Sequence, residues 1–479
     1  MSSPKKNFVY NVIYQILILI IPLITAPYLA RVVGVSGVGT YSYTYSIVYY
    51  FMLFTMLGIN NYGNRMIAKV RDDKKKLSKN FWSIYLFQLL MGIVMLLIYI
   101  IYVFLSNNEY KYIATIQSIF IVSAMLDINW FFFGLEEFKR TIIKNTIVKI
   151  GNVVLILLLV KKPEDLWKYT LIMSSMTCLG QIILWTSLKQ KIEFVKISFK
   201  DILKHIKPNL ILFIPVIAVS LYKMMDKIML GAMTNMNEVG YYENAEKITS
   251  IPLTLITALG TVMLPRVSNI LAQGKIEELN KYFKKSIEFV MFMSFAMCFG
   301  LIGIGYHFAP FFFGETFQKT GLLIMMLALT IPFVSFANVI RTQYLIPKEK
   351  DKLYIISVSL GASVNFILNC IFIPKLGSLG ACVGTIAAEF VVMLYQSLAI
   401  KNNIPIFKLI LNIVPYFIKS VIMLICIYPF NYLNINPLYR LLIQIMLGCT
   451  IYGILNLKYI FSIVDIKKIF NSLRMKKIK

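Results

Sequence analysis

The run NFVYNVIYQILILIIPLITAPYLARVVGVSGVGTYSYTYSIVYYFMLFTMLG (7–58) carries one formal charge, Arg31, in 52 residues. A bilayer-spanning helix needs about 20 mostly apolar residues, so the run is long enough for two. The segment GVSGVG (34–39) divides it, because glycine costs a helix roughly 1 kcal/mol per residue relative to alanine. Two membrane helices are therefore expected to meet there. Working outward, further charge-free stretches recur at 80–108, 169–188, 289–314, 320–340, 353–374 and 420–439. Extended along the chain, the pattern predicts an all-α polytopic membrane protein of about fourteen spans. They lie near 8–33, 38–60, 80–105, 112–134, 141–160, 169–188, 208–232, 239–264, 286–309, 320–344, 353–373, 377–400, 413–433 and 438–460.

Composition agrees. Of 479 residues, 58% are hydrophobic and 15% charged, and mean hydropathy is +0.72. Soluble proteins average about 45–50% apolar and about 25% charged. A soluble enzyme, a disulfide scaffold and a disordered chain are excluded. The six cysteines (Cys178, Cys298, Cys370, Cys382, Cys426, Cys449) are scattered through apolar segments and read as small core residues. The first span is too long for a secretory leader and is read as retained.

The net charge of +27 does not call for nucleic acid. With the N-terminus inside, 33 Lys and Arg fall in cytoplasmic segments, and six in outer loops: Lys111, Lys161, Lys162, Lys168, Lys319 and Lys375. Such asymmetry orients membrane proteins, and basic loops face anionic headgroups. Both termini are expected in the cytoplasm. The longer links 65–80, 189–208 and 266–285 read as short amphipathic helices on the inner surface.

An internal repeat supplies the architecture. RVVGVSGVGTYSY (31–43) is followed by an LG pair at 57–58. LGAMTNMNEVGYYENA (230–245) is followed by LG at 259–260. Gly39 to Gly58 spans 19 residues and Gly240 to Gly260 spans 20. Six spans per unit predict parallel repeats: an N-lobe at 1–188, a linker at 189–207, a C-lobe at 208–400, and two added spans with a basic tail at 401–479. Alternating access around a cavity between two six-helix lobes follows from that arrangement.

No Walker A sequence is present, so nothing points to nucleotide coupling. The two histidines, His205 and His307, offer no metal spacing, and no catalytic triad can be placed on one side of the membrane. Transport, not catalysis, is the natural class. Charges inside spans are costly and mark function by default. The segment SLYKMMDKIMLG (220–231) places Lys223 and Lys227 on one helix face with Asp226 beside them. YYENAEKI (241–248) adds Glu243 and Lys247. These groups are either a polar cavity wall or a self-neutralising set, Lys223 with Asp226 and Glu243 with Lys247. Arg31 and Arg341 near helix ends are either functional or snorkelling. Asp127 lies deeper, with Lys149 of the fifth span as its expected partner. Tyr41 and Tyr241, at matching places in the repeat, are either interfacial belt residues or platforms for sugar rings.

Four stretches, 27–79, 126–151, 209–248 and 373–389, beginning PYLARVVG, LDINWFFFG, NLILFIPV and IPKLGSLG, together resemble the polysaccharide transporter (Wzx-type) flippases of the MOP superfamily, which also holds the MATE exporters. The resemblance covers roughly residues 1–400. It implies a MOP/MATE-like fold of twelve to fourteen helices in two pseudo-symmetric lobes. It implies an undecaprenyl-pyrophosphate-linked oligosaccharide as substrate, flipped to the outer leaflet of a bacterial plasma membrane for capsule, O-antigen or exopolysaccharide synthesis. Cationic cavity residues contact the pyrophosphate in such proteins, which singles out Arg31, Lys223, Lys227 and Lys247. Partners would be membrane lipids and the polymerase and glycosyltransferases of the same pathway. No organic cofactor or metal is expected. Proton or Na⁺ coupling would fall to Asp127, Asp226 or Glu243. The competing readings are a MATE-type multidrug or cation antiporter, a membrane-embedded polymerase or glycosyltransferase, and a scaffold. The excess of intramembrane bases over acids argues against the first, and the short outer loops against the second.

Overall fold

The computed structural model describes residues 4–106, 109–189 and 191–463, with side chains from residue 20 onward except those of 215, 218, 219, 221–223, 259, 261, 262 and 276. Helices dominate, and no strand occurs among the described residues.

The first helix, α1 (Pro4–Met56), bends at Gly34, whose φ of 71° and ψ of 179° strain any residue with a Cβ. The break foreseen in GVSGVG thus falls on its first glycine. A second left-handed glycine, Gly58 at φ 82°, starts α2 (Ile59–Val70). The start of α3 (Lys74–Leu105) is capped by Asp73, whose Oδ1 accepts the backbone N–H groups of Lys75 and Lys76 at 3.1 and 3.0 Å, as cap residues do. There follow α4 (Lys111–Met125), α5 (Asn129–Gly134), α6 (Phe138–Leu159), α7 (Leu166–Thr186), the five-residue α8 (Phe199–Leu203) and α9 (Ile206–Met233). Then come α10 (Met236–Ala272), α11 (Ile276–Phe313), α12 (Gln318–Ala328), α13 (Thr330–Ile340), α14 (Asp351–Leu376), α15 (Ser378–Ile400), α16 (Ile406–Ile427), α17 (Pro437–Leu455) and α18 (Leu457–Ile463).

Eleven described helical segments are long and apolar enough to cross a bilayer, and the chain is a multi-pass membrane protein. One of the eleven, Ile20–Val70, contains the Gly34 bend and so covers the first two expected spans. The expected sixth and seventh spans fall on α7 and α9, helices of 21 and 28 residues outside that set. The lipid-facing sides are apolar. On α3, Leu90, Val94, Leu97, Ile101 and Phe104 are 45–74% exposed. Its opposite face buries Gln88, whose amide donates to the Ala124 and Asp127 carbonyls at 2.7 and 2.8 Å. This inside-out polarity is what a helix needs when its surroundings cannot hydrogen-bond.

The described residues group into two compact units. One comprises residues 1–244 and 365–381, the other 245–364 and 382–479. The first centres on Phe81, Trp130, Phe131 and Phe132, all fully buried with Ile59 and Ile67. The Trp130 indole N–H donates to Gln88 Oε1 at 3.0 Å. The second centres on Phe283, Ile287, Met291, Phe336, Ile340 and Tyr416, and its Tyr452 hydroxyl donates to the Phe292 carbonyl at 2.9 Å.

The links differ from expectation. Residues 65–80 belong to α2 and α3, and 266–285 to α10 and α11, apart from a turn at Gly274 (φ 70°). Among the described residues of 189–208 α8 is the one separate helix, and 192–198 have no regular secondary structure. The cause lies on α3. Ser78 Oγ accepts the Glu193 N–H at 3.0 Å, Trp82 Nε1 donates to the Glu193 carbonyl at 2.9 Å, and Lys74 pairs with its carboxylate at 2.8 Å. Phe194 stacks on Trp82 at 4.9 Å. These partners replace the backbone bonds a helix would have made.

Candidate functional site

The site is built in the first unit where the repeated motifs meet. A Cβ on Gly39 would lie 1.7 Å from the Met236 carbonyl oxygen and 2.9 Å from the Gly240 nitrogen. A Cβ on Gly240 would lie 2.2 Å from the Val35 carbonyl oxygen. Each glycine faces the carbonyl four residues before the other, so α1 and α10 cross backbone to backbone, with the repeat reflected in the contact itself. Small residues permit such crossings in membranes. A third glycine, Gly231 of α9, admits the Tyr43 ring, 2.1 Å from where its Cβ would stand.

This close approach sets the polar groups. Glu243 of α10 accepts from Lys227 Nζ at 2.9 Å and from Ser42 Oγ at 2.7 Å, both on Oε2. Lys227 and Glu243 side chains are 10% and 16% exposed. Asp226 accepts from the Tyr242 hydroxyl on Oδ2 and the Asn369 amide on Oδ1, each at 2.6 Å. The same Asn369 amide reaches Asn365 Oδ1 at 3.1 Å. One turn nearer the helix start, Glu238 Oε2 accepts from Ser378 N at 2.7 Å and Ser378 Oγ at 2.6 Å, tying α10 to the beginning of α15. Three buried amides keep atoms without partners: both polar atoms of Asn244, Asn365 Nδ2 and Asn369 Oδ1. The cluster is thus satisfied in its charges and unsatisfied in its amides, spare capacity that native interiors normally lack.

The expected residues are placed as follows. Lys227, Asp226 and Glu243 come together: Lys227 pairs with Glu243, and Asp226 accepts from Tyr242 and Asn369, while the expected pairing of Lys223 with Asp226 falls on a side chain outside the described residues. Tyr41 stacks with Tyr45 at 5.8 Å and meets Tyr169 at 4.6 Å. Tyr241 is half-buried on α10, and Arg31 is exposed before the Gly34 bend. Lys223 lies on α9, and its side chain is outside the described residues. Lys247 belongs to the second unit, half-buried on α10.

Asp127 sits apart, where α4 turns into α5. It accepts from Asn129 N and Nδ2 at 2.8 and 2.6 Å. The nearby base is Lys144, which donates to Asn129 Oδ1 at 3.1 Å; Lys149 is not the partner. Ser42, Asn365 and Asn369 escaped the sequence reading. The one signal for the asparagines is their i,i+4 spacing in the otherwise apolar NFILN (365–369).

Between α8 and α9, His205 is fully buried. Its ring nitrogens meet the Tyr62 hydroxyl and Ser83 Oγ, both at 2.8 Å. Burial, helped by the neighbouring Lys204 charge, pushes the imidazole down to about 4.

A family model described as "Polysaccharide biosynthesis protein" matches residues 5–271. A protein of Escherichia coli (strain K12) named "Putative O-antigen transporter" is 24% identical over 419 residues, covering 84% of this chain and 97% of that one. The solved "Lipid II flippase MurJ, inward closed conformation" superposes with a TM-score of 0.76 at 18% identity, covering 95% of this chain and 99% of that chain. An inward-facing MATE family transporter of the MOP superfamily gives 0.60 at 13% identity, covering 82% and 98%. The two superpositions establish a shared fold.

Proposed function

Since the chain belongs to the polysaccharide biosynthesis protein family, we propose that it is a flippase carrying lipid-linked oligosaccharide repeat units from the inner to the outer leaflet. The observation that carries this is the near full-length likeness to a protein named for O-antigen transport, joined to a charged cluster held inside apolar helices. The physics fits. Each sugar hydroxyl left unsatisfied in hydrocarbon costs several kcal/mol, so unassisted flipping is negligible. Polar walls with spare amide capacity, such as Asn244, Asn365 and Asn369, replace those bonds, and aromatic faces such as Tyr41 accept sugar rings. A pyrophosphate prefers Lys or Arg, supplied by Lys227 with Arg31, Lys223 and Lys247. The polyprenyl tail stays in lipid.

The two repeats, 1–188 and 208–400, rock as lobes in this reading. Movement of a doubly charged headgroup outward gains about 4.6 kcal/mol at 100 mV, inside negative. A coupling H⁺ or Na⁺ is taken by Asp226 or by Glu243. The protein sits in a bacterial plasma membrane with both termini cytoplasmic, beside the polymerase and glycosyltransferases that use its product.

The test is reconstitution into vesicles with defined undecaprenyl-pyrophosphate glycans, measuring their appearance in the outer leaflet under imposed potential, pH and Na⁺ gradients. Potential-dependent flipping is expected. Vesicles that export cationic dyes and leave the glycan in place would overturn the reading in favour of an antiporter.

A further inference from the structure

The second unit contains a polar cluster that the foregoing does not use. Past α13 the chain forms a five-residue π-turn, Arg341–Leu345, a feature frequent at functional sites. The half-buried Arg341 guanidinium donates through Nη2 to Asn338 Oδ1 at 2.6 Å and through Nη1 to the Tyr354 hydroxyl at 3.3 Å, and stacks on the Tyr354 ring at 5.6 Å. Its Nε has no partner.

Around it, Asn338 Nδ2, both amide atoms of Gln343, the Tyr344 hydroxyl and Ser335 Oγ are also buried without partners. These four residues are at most 5% exposed. Lys348 and Lys350 place their ammonium groups 4.2 and 5.1 Å from the Tyr344 ring centroid. The acids nearest in sequence, Glu349 and Asp351, are exposed, and no described carboxylate forms an ion pair with Arg341, Lys348 or Lys350. Gly260 of α10 forms a bare wall: a Cβ there would lie 2.8 Å from Asn338 Nδ2 and 3.1 Å from Thr342 Oγ1.

Three cations without a counter-charge, beside donors without acceptors, describe a site missing an anion with several oxygens. Buried donors left unmade are costly, and a cation held away from water needs a partner. We propose that the π-turn after α13, with Asn338, Arg341, Gln343 and Tyr344 and the lysines of the following loop, is a phosphate-binding subsite. It engages the phosphorylated headgroup at the cytoplasmic end of this helix. The identity of the headgroup rests on the flippase reading; the phosphate chemistry does not.

The test is calorimetric titration of the full-length protein, in neutral detergent, with inorganic pyrophosphate. Asn338→Asp is the decisive variant. It is isosteric, gives Arg341 an internal counter-charge, and should leave the melting temperature equal or higher. Binding is expected to weaken at least tenfold in Asn338→Asp and Arg341→Gln, and less in Arg341→Lys. Equal affinity in all four proteins, or no binding by the wild type, overturns the subsite.

Competition separates the sources. Displacement of pyrophosphate by undecaprenyl pyrophosphate but not by phosphatidylglycerol in neutral nanodiscs supports a substrate subsite. Displacement by both alike refutes that role and makes it a contact for bulk lipid. The flipping assay keeps the two claims apart. A wild type that flips glycan while its pyrophosphate binding ignores positions 338 and 341 sinks only the subsite. One that binds through them and flips nothing sinks only the transport reading.

Discussion

Gly39→Ala tests the crossing on which the site depends. The new methyl would stand 1.7 Å from the Met236 carbonyl oxygen, where real Cβ contacts are essentially never under 3.0 Å. The obstruction is backbone, so no rotamer change relieves it, and α1 and α10 must part by more than an ångström. Overpacking of this kind costs about 1–3 kcal/mol. At 2 kcal/mol, an equilibrium between a state that keeps the crossing and one that opens it shifts by about thirty-fold. Gly240→Ala meets the Val35 carbonyl oxygen at 2.2 Å and should do the same. Once the helices have parted, the second methyl meets less resistance, so the double variant should cost clearly less than the two single costs together. The assay is thermal unfolding in detergent combined with thiol labelling of Ser36→Cys, an exposed position beside the crossing. Lower melting temperature and faster labelling are expected. An unchanged melting temperature and labelling rate in Gly39→Ala, or strict additivity in the double variant, would refute the reciprocal contact.

Two further outcomes are expected. Lys227→Met removes the ammonium group from the half-buried Glu243, which also accepts from Ser42 at 2.7 Å, and should destabilise by about 3–5 kcal/mol, most of it recovered in Lys227→Met with Glu243→Gln; additive losses in denaturation would show that the pair is not coupled. For His205, the folded imidazole titrates near 4 and the unfolded one near 6.5, so between those values the unfolded chain binds more protons and stability falls on acidification, by at most about 1.4 kcal/mol per pH unit. The wild type should lose more melting temperature than His205→Gln between pH 7 and pH 5, and parallel losses would remove His205 as the cause.

Much of this was legible in the sequence, for identifiable reasons. Hydropathy marks spans because lipid forces apolar surface outward, and the glycine-rich break was readable because Gly34 must adopt positive φ. Gly39 and Gly240 stood out because the crossing leaves no room for a Cβ on either helix. The Lys227–Glu243 pair was not foreseen, because spacing within one helix suggested Lys223 with Asp226 and Glu243 with Lys247. The tight turn near Asn235 folds α10 back along α9, so Lys227 and Glu243, each eight residues from it, stand opposite one another. The contribution of Asn365 and Asn369 was invisible, because two amides hardly dent the hydropathy of an apolar span. The 189–208 link was misread because amphipathic periodicity ignores side-chain partners elsewhere, here Ser78 and Trp82 of α3.

The same pairing constrains how the cluster works. In the proposed function Lys227 meets the phosphate, yet Glu243 already holds it at 2.9 Å. A phosphorylated headgroup must therefore compete with a carboxylate for the ammonium group. Resting neutrality keeps the cost of an empty site low, since an uncompensated cation among apolar helices is expensive. Competition in turn limits affinity, which a transporter needs in order to release its cargo. Protonation of Glu243, or a cation placed beside it, would free Lys227 at the moment of loading and restore the pair on departure. Under the proposed function, coupling and substrate binding would share one hydrogen bond, so Glu243→Gln separates them: tighter headgroup binding with slower turnover follows from the shared bond, whereas faster release would contradict it.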